Sequence, residues 1–438
     1  MLLTNEKNID RFIVLTSILF CLLPFAQISG PLFTDAFISI ISLIYLYLIY
    51  FLNRNLHKSN FFLYLLFLFW VYISIISIFS EYKNLSILPS VTFIRFIIFT
   101  YAIILVLNLN KNLLKNFNIS LLIALFVLVL DGYYQYIFDI NILGFEKLRP
   151  DRLSGLFLDE MVLGSFLTKI LPIIFFLSYE NKNFKKLKIL NIIIIIIAIP
   201  LIFLSGERTA FFLIILFCLL VLPFLFNIKE IILMLIIFFS VCITVINLDK
   251  VIYGRYVNQL NDHLISKREN LNIFLPQYIG LFNSAYVIFS KNKLFGTGVK
   301  TFREMCKRND GDYKKKIKEA RLSIGFCSTH PHNYYFQFLA ETGIFGFLFL
   351  TISFLICVLS YIKKLHQLFS NKIKNKLMTK KYIVLLVGSM MHVWPLSTTG
   401  SFFNNWNSSF IFLQLSLLIY FTYGSYHKNK KLNYFNFI

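Results

Sequence analysis

The sequence predicts an all-α, polytopic integral membrane protein with about twelve transmembrane helices and one large loop. Hydrophobic residues fill 58% of the 438 positions and charged residues only 15%, unlike the composition of a water-soluble protein. Apolar runs of about 20 residues recur along the chain, and each is long enough to cross a bilayer as a helix. The predicted spans are 10–28, 32–52, 61–80, 91–109, 118–138, 155–178, 189–204, 210–226, 230–248, 333–361, 382–400 and 408–425.

The positions of lysine and arginine predict the orientation of these spans, because short cytoplasmic loops carry an excess of both. With the N-terminus in the cytoplasm, the short basic connections fall on the cytoplasmic side, together with the basic tail, at 53–60, 110–116, 181–188, 363–381 and 427–438. The opposite orientation would place the lysine-rich loop 363–381 outside. The first apolar run lacks a small-residue cleavage pattern, so we expect it to be retained as the first span.

Three parts of the chain follow from this pattern. Residues 1–248 are predicted to hold helices 1–9, residues 249–332 a large loop with short helices, and residues 333–438 helices 10–12. The net charge of +22 would suit a nucleic-acid-binding protein, but many lysines lie in the short loops and set orientation. The basic residues of the large loop, including 314–318, favour anionic phosphate ligands instead.

Two cysteines, Cys306 and Cys327, lie in the large loop on the predicted oxidising side of the membrane. A disulfide between them would close a loop of about 20 residues and stabilise it by ~3 kcal/mol. The alternative is a pair of free thiols. The remaining cysteines lie in apolar spans, where cysteine behaves as a small hydrophobic residue.

The densest polar segment lies at the end of the large loop, where His330 and His332 flank Pro331. This spacing suits an extended turn, and the absence of an accompanying ligand motif disfavours a metal site. A histidine at a water-exposed membrane edge can remove a proton from a hydroxyl group. The alternative is a hydrogen-bonded cap of the next span, a role that Asn333 can also fill. The residues alone leave the two roles equally open.

Arg208 lies in a short polar turn between two apolar runs, where its planar guanidinium suits phosphate oxygens. The alternative is a local ion pair, with Glu207 or with another group. Within the fifth predicted span, Asp131 and Gln135 are either functional or hold helices together.

These segments together resemble the O-antigen ligase and O-antigen polymerase superfamily of bacterial envelope glycosyltransferases. The similar segments are RLSGLF at 152–157, SGERTA at 205–210, LFGTG at 294–298 and HPHNYYFQFLAETG at 330–343. The last of these is the most specific, and the resemblance covers roughly residues 130–350. It implies an all-helical, GT-C-like fold in the bacterial inner membrane with a periplasmic active site.

The resemblance also implies a reaction. A ligase of this superfamily moves a glycan from undecaprenyl diphosphate to a sugar hydroxyl of lipid A-core, without a cofactor, a metal ion or a nucleic-acid partner. The first alternative is a polymerase, whose acceptor is a second lipid-linked glycan. A polysaccharide transporter or flippase is the less favoured alternative, since most of the notable polar residues fall near predicted loop edges.

The family's functional residues can be carried over by position. His332 directly precedes an asparagine and corresponds to the catalytic histidine, and Arg208 corresponds to the diphosphate-binding arginine at a span edge. A second diphosphate-binding arginine has no single match, so Arg268 and Arg303 are both candidates. The residues expected to support these groups are His330, Asn333, Glu341 and Arg152.

Overall fold

A computed structural model describes residues 2–52, 61–180, 185–259, 261, 274–308 and 327–428. These residues form helices and connections, with isolated β-bridges but no strand. The helices are α1 (Leu2–Ser29), α2 (Pro31–Leu52), α3 (Phe61–Ile78), α4 (Lys83–Thr92), α5 (Ile94–Leu109), α6 (Leu113–Phe138), α7 (Leu163–Glu180), α8 (Lys185–Leu204), α9 (Arg208–Leu225), α10 (Ile228–Leu248), α11 (Lys250–Tyr253), α12 (Pro276–Lys291), α13 (Phe302–Lys307), α14 (Tyr334–Phe369), α15 (Lys376–His392) and α16 (Asn405–Lys428).

Within the described ranges, nine helices are long and apolar enough to cross a membrane. Their bounds are Asp10–Ser29, Pro31–Tyr50, Lys83–Leu109, Leu113–Phe138, Leu163–Glu180, Lys185–Leu204, Arg208–Leu225, Ile228–Leu248 and Tyr334–Phe369. The helices α3, α15 and α16 occupy most of three further predicted spans. The all-α, polytopic membrane fold is therefore confirmed, whereas the count of twelve spans stays a prediction.

The centre of the helix bundle is formed by α7, which packs against α8, α9 and α15. Gly388 of α15 allows this close packing, because an added Cβ would lie 2.6 Å from Pro172 Cβ and 2.5 Å from Gln414 Nε2. In contrast, α10 lies at the edge of the bundle, and Cys242 is the one buried residue of this helix. We therefore expect α10 to face lipid along most of its length.

The polar residues of α6 hold the connection that follows this helix. Asp131 Oδ1 accepts a hydrogen bond from Ile142 N (2.8 Å), and Gln135 Oε1 accepts from Ser154 N (3.0 Å) and Gly155 N (2.7 Å). The connection therefore folds back over the end of α6 before α7 begins. The predicted span 155–178 consequently begins later, at Leu163.

The glycine turn of the large loop is clamped against α14. Gly298 N donates to the Glu341 carbonyl (2.9 Å), and an added Cβ on Gly343 would lie 2.3 Å from Leu294 O. Gly343 has φ +65°, so it interrupts the helical backbone of α14. This contact explains why the glycines of the LFGTG and ETG segments are needed together.

Candidate active site

The histidine segment forms a tight turn directly before α14. His332 has φ +58°, an uncommon conformation for a residue with a Cβ that is often found at functional sites. Asn333 caps α14, since its Oδ1 accepts from Tyr335 N (2.9 Å) and Phe336 N (3.3 Å). Its Nδ2 also donates to Pro395 O at 2.7 Å. Because Asn333 supplies the cap, the side chain of His332 is not needed for that role.

A short loop between α15 and α16, residues 398–401, holds both histidines; we call it the threonine loop. Thr399 N donates to the His332 carbonyl at 2.9 Å. The Thr399 carbonyl lies 3.3 Å from His330 Nε2. Since a carbonyl oxygen only accepts, His330 Nε2 must carry the proton in this contact, and Nδ1 can accept from Thr329 Oγ1 (2.8 Å). The sequence motifs did not indicate this loop, and residues 398–400 were counted into the predicted span 382–400, whereas α15 ends at His392.

The two imidazole rings lie close together, with centroids 4.1 Å apart. Burial, then the charge of His332, lowers the pKa of His330 to about 4. Burial also lowers the pKa of His332, although a hydrogen bond to the backbone of Thr399 opposes this shift. His332 Nε2 lies 3.4 Å from Ser328 Oγ. Both histidines are therefore expected to be neutral near pH 7, and a neutral imidazole can accept a proton.

Arg208 is the first residue of α9 and follows a tight turn. Gly206 of this turn has φ +70°, and an added Cβ would lie 2.2 Å from Asp151 O. Arg208 Nη2 donates to Gln259 Oε1 at 2.6 Å. The neighbouring Thr209 Oγ1 lies 2.7 Å from Thr398 Oγ1. We call residues 205–209 the arginine turn. The arginine turn thus contacts the threonine loop that holds the histidines.

Arg208 and Glu207 do not form a local ion pair with each other at this turn. Glu207 is buried and accepts from Gly164 N (2.7 Å) and from Ser165 at the start of α7. Burial raises the pKa of Glu207, and the charge of Arg152 opposes this shift. The carboxylate therefore caps α7, while the guanidinium of Arg208 is held by Gln259.

A residue absent from the predicted site, Arg255, lies beside Arg208. It occupies a π-helical turn, Gly254–Asn258, directly after α11; such turns recur at functional sites. Its Nε donates to Gly206 O (3.0 Å), and its Nη1 donates to Gln259 Oε1 (2.9 Å). The same Nη1 lies 3.2 Å from Asp151 Oδ2. Gln259 therefore bridges Arg208 and Arg255 with one amide oxygen.

Four arginines gather around this turn, and we call them the arginine cluster: Arg149, Arg152, Arg208 and Arg255. The carboxylates among them are Asp151 and Glu207, so the charge of the group is four minus two, or +2. Burial alone would raise the pKa of Asp151, but hydrogen bonding to Arg149 and the charge of Arg255 lower it. The excess of cationic charge suits an anionic ligand.

Arg152 belongs to this cluster through its guanidinium. Its Nη2 donates to Met161 O at 2.8 Å, and its charge interacts with those of Glu207 and Arg208. Its Nε is buried without a hydrogen-bond partner among the described residues. A donor in this position is available to a ligand that enters the cluster.

Arg303, another predicted diphosphate ligand, is not part of this cluster. Arg303 lies on α13 and is exposed, and its charge interacts with those of Lys300 and His330. Arg268 and the basic stretch 314–318 lie outside the described residues. The structure thus has Arg255, not Arg303, next to Arg208.

Two supporting contacts hold α13 near the histidines. A disulfide joins Cys306 of α13 to Cys327, and the two Cα atoms lie 5.5 Å apart. Glu341 is buried in α14, where it accepts from Phe302 N (3.3 Å) and from Gln337 Nε2 (3.0 Å). The disulfide and Glu341 therefore fasten α13 to the segments on both sides of the histidine turn.

Comparison with known proteins adds one match. A family model described as O-Antigen ligase matches residues 190–351, a range that includes Arg208, Arg255, His332 and Glu341. A search of curated proteins finds no significant match. In the part of the chain that the structure describes, no group of three or more His, Cys, Asp or Glu residues could hold a metal ion.

Proposed function

We propose that this multi-pass membrane protein, whose residues 190–351 match the O-antigen ligase family, transfers a glycan from undecaprenyl diphosphate to a sugar hydroxyl of lipid A-core. The family match supports ligase-type or polymerase-type activity. The observation that carries the proposal is the contact between Thr209 and Thr398, which joins the arginine turn to the loop that holds the histidines. The proposed location is the periplasmic face of the bacterial inner membrane.

His332 is the proposed general base. Its Nε2, which lies 3.4 Å from Ser328 Oγ, is the proposed proton acceptor. Nε2 takes the proton of the acceptor hydroxyl as the oxygen attacks the anomeric carbon of the donor. The bond from that carbon to the diphosphate oxygen breaks, and its electron pair leaves with undecaprenyl diphosphate. Such a displacement inverts the anomeric configuration.

Arg208 and Arg255 are the proposed ligands of the leaving diphosphate. Both donate to Gln259 Oε1, at 2.6 Å and 2.9 Å, so an anion entering between them can take the place of this neutral acceptor. Fixed guanidinium groups stabilise charge that grows on the leaving group, which is commonly a large part of catalysis. In this proposal the arginines supply the charge stabilisation, and no step depends on a metal ion.

Arg255 thereby fills the role for which Arg268 and Arg303 were predicted. Arg303 lies on α13, which the Cys306–Cys327 disulfide fastens near the histidine turn, and this supports a place on the acceptor side of the histidines. The acceptor would then approach from α13, and the donor diphosphate from α9.

The decisive experiment is glycan transfer by the purified protein. It receives a lipid-linked glycan together with either lipid A-core or a second lipid-linked repeat, and the glycan products and undecaprenyl diphosphate are measured. Transfer to lipid A-core, with one undecaprenyl diphosphate released per glycan, is the expected result. Extension of the second lipid-linked repeat alone would instead assign a polymerase. Transfer to neither acceptor by a folded protein would overturn the proposal.

A further inference from the structure

Lys169, a lysine inside the helix bundle, is connected by contacts to the proposed site. Lys169 lies on the central helix α7, and its Nζ donates to Asn407 Oδ1 of α16 at 2.6 Å. The ammonium also lies 4.7 Å from the centroid of the Trp406 ring. A lysine within a membrane-spanning helix is costly, and such residues are usually paired and functional. The reaction proposed above does not use Lys169.

Asn407, the hydrogen-bond partner of Lys169, contacts the threonine loop directly. Asn407 Nδ2 donates to Ser401 O at 3.1 Å. A Cβ added to Gly400 would lie 2.4 Å from Asn407 Nδ2, so the loop rests on this side chain. Thr399 directly precedes Gly400, and Thr399 N donates to the His332 carbonyl at 2.9 Å. A short chain of contacts therefore runs from Lys169 through Asn407 and the threonine loop to His332.

Lys169 also acts on the arginine turn. Its charge interacts with that of Glu207, the residue directly before Arg208. Glu207 is bonded to Ser165, which lies one helical turn before Lys169 on α7. Since the ammonium offsets this carboxylate, more of the positive charge of the arginine cluster is left for an anionic ligand.

We propose that Lys169 is a positioning residue for glycan transfer, which holds the threonine loop through Asn407 and balances Glu207 at the arginine turn. The proposal rests on the function proposed above, because it needs His332 as the base. Lys169 does not act on the histidines by direct contact, so its effect on the base passes through the backbone of the threonine loop. It connects the two halves of the site, the base and the leaving-group ligands, through one side chain.

The test uses the purified full-length protein and the transfer assay with its lipid-linked donor. Lys169→Met removes the ammonium and keeps an unbranched side chain. We expect kcat to fall by about 10- to 100-fold, since misplacement of a reacting group is costly, with the donor KM changed by less than about threefold. Lys169→Arg is expected to recover most of the activity, because it retains a donor and the charge. Asn407→Leu breaks the same contact without removing the charge, and it carries the same prediction if Lys169→Met folds poorly.

The matched control is Lys381→Met. Lys381 pairs with Glu180, the last residue of α7, so this change breaks an ion pair at the other end of the same helix. We expect kcat of Lys381→Met to stay within about twofold of the unchanged protein, whatever its effect on the thermal midpoint.

Combination with His332→Ala separates positioning from a purely structural effect. Because Lys169 acts largely through His332 in this proposal, Lys169→Met should cause a smaller loss in the His332→Ala background than in the unchanged protein. An equal loss in that background, or an unchanged kcat for folded Lys169→Met, would overturn the role of Lys169 and leave the proposed function standing. Full activity of His332→Ala would instead overturn the proposed function and this role with it.

Discussion

Arg255→Met is the substitution that most sharply separates the proposed site from a purely structural arginine cluster. Arg255 donates to Gly206 O and Gln259 Oε1 and lies 3.2 Å from Asp151 Oδ2. In the proposed reaction, its Nη1 turns from Gln259 to a diphosphate oxygen. A charge-assisted hydrogen bond contributes about 1.5–3 kcal/mol, and loss of a preorganised donor to a developing anion costs about 10²- to 10³-fold in rate. We therefore expect kcat/KM for the donor to fall by that factor.

The assay is steady-state transfer at varied donor concentration, with the thermal midpoint measured alongside. Arg149→Met is the matched control, because Arg149 also bonds Asp151 but is half exposed, and the described donors to Gln259 are Arg208 and Arg255. We expect kcat/KM of Arg149→Met to stay within about threefold, as for other exposed ion pairs. Arg255→Lys keeps the charge but loses the planar fork, and an intermediate loss is expected. An unchanged kcat/KM for folded Arg255→Met, or an equal loss of activity in both methionine variants, would rule out a diphosphate-binding role for Arg255.

Three further outcomes are expected. Because burial lowers the pKa of His332, the neutral base persists as the pH falls, so the acid limb of log kcat/KM should lie below the ordinary value of 6.5; initial rates across the acid range measure it, and a limb above 6.5 would contradict the assignment. Reduction of the Cys306–Cys327 disulfide should lower the thermal midpoint, since it removes a link worth ~3 kcal/mol; the Cys306→Ser, Cys327→Ser protein should no longer respond to reductant. Asn333→Ala should destabilise the protein by about 1–3 kcal/mol, because it removes the cap of α14 and leaves Pro395 O without its donor; an unchanged unfolding midpoint would contradict this.

The sequence could predict the membrane-spanning fold because long apolar runs have few other solutions. It was less able to predict where spans begin. The connection after α6 is apolar enough to be counted into the span at 155–178, yet Gln135 binds Ser154 and Gly155 and α7 begins only at Leu163. Such a boundary depends on a tertiary hydrogen bond and not on local hydropathy.

The site was predicted in part, for a similar reason. His332 and Arg208 interrupt apolar runs in short polar motifs, and the structure brings their segments together through Thr209 and Thr398. Arg255 follows the end of a span without a motif around it, so nothing local distinguished it from Arg268 or Arg303. Its proximity to Arg208 comes from the π-helical turn and from the bridging oxygen of Gln259.

The role proposed for Lys169 could not be predicted from the sequence for the same reason. In the sequence it is one lysine within an apolar run, and it has no motif. Its meaning depends on Asn407, which lies on a helix 238 residues away along the chain, and on Glu207 at the arginine turn. The contact between Lys169 and Asn407 becomes apparent only in the folded protein, where α7 and α16 pack together.

The most direct test of the central claim measures His332→Ala with donor binding and transfer determined separately in the purified protein. We expect the dissociation constant of the lipid-linked donor to change by less than about threefold, because Arg208 and Arg255 remain. The transfer rate should fall by about 10²- to 10⁴-fold with loss of the base. His330→Ala should lose less, because His330 contacts the threonine loop and not the reacting hydroxyl. Transfer by folded His332→Ala at the rate of the unchanged protein would contradict the account.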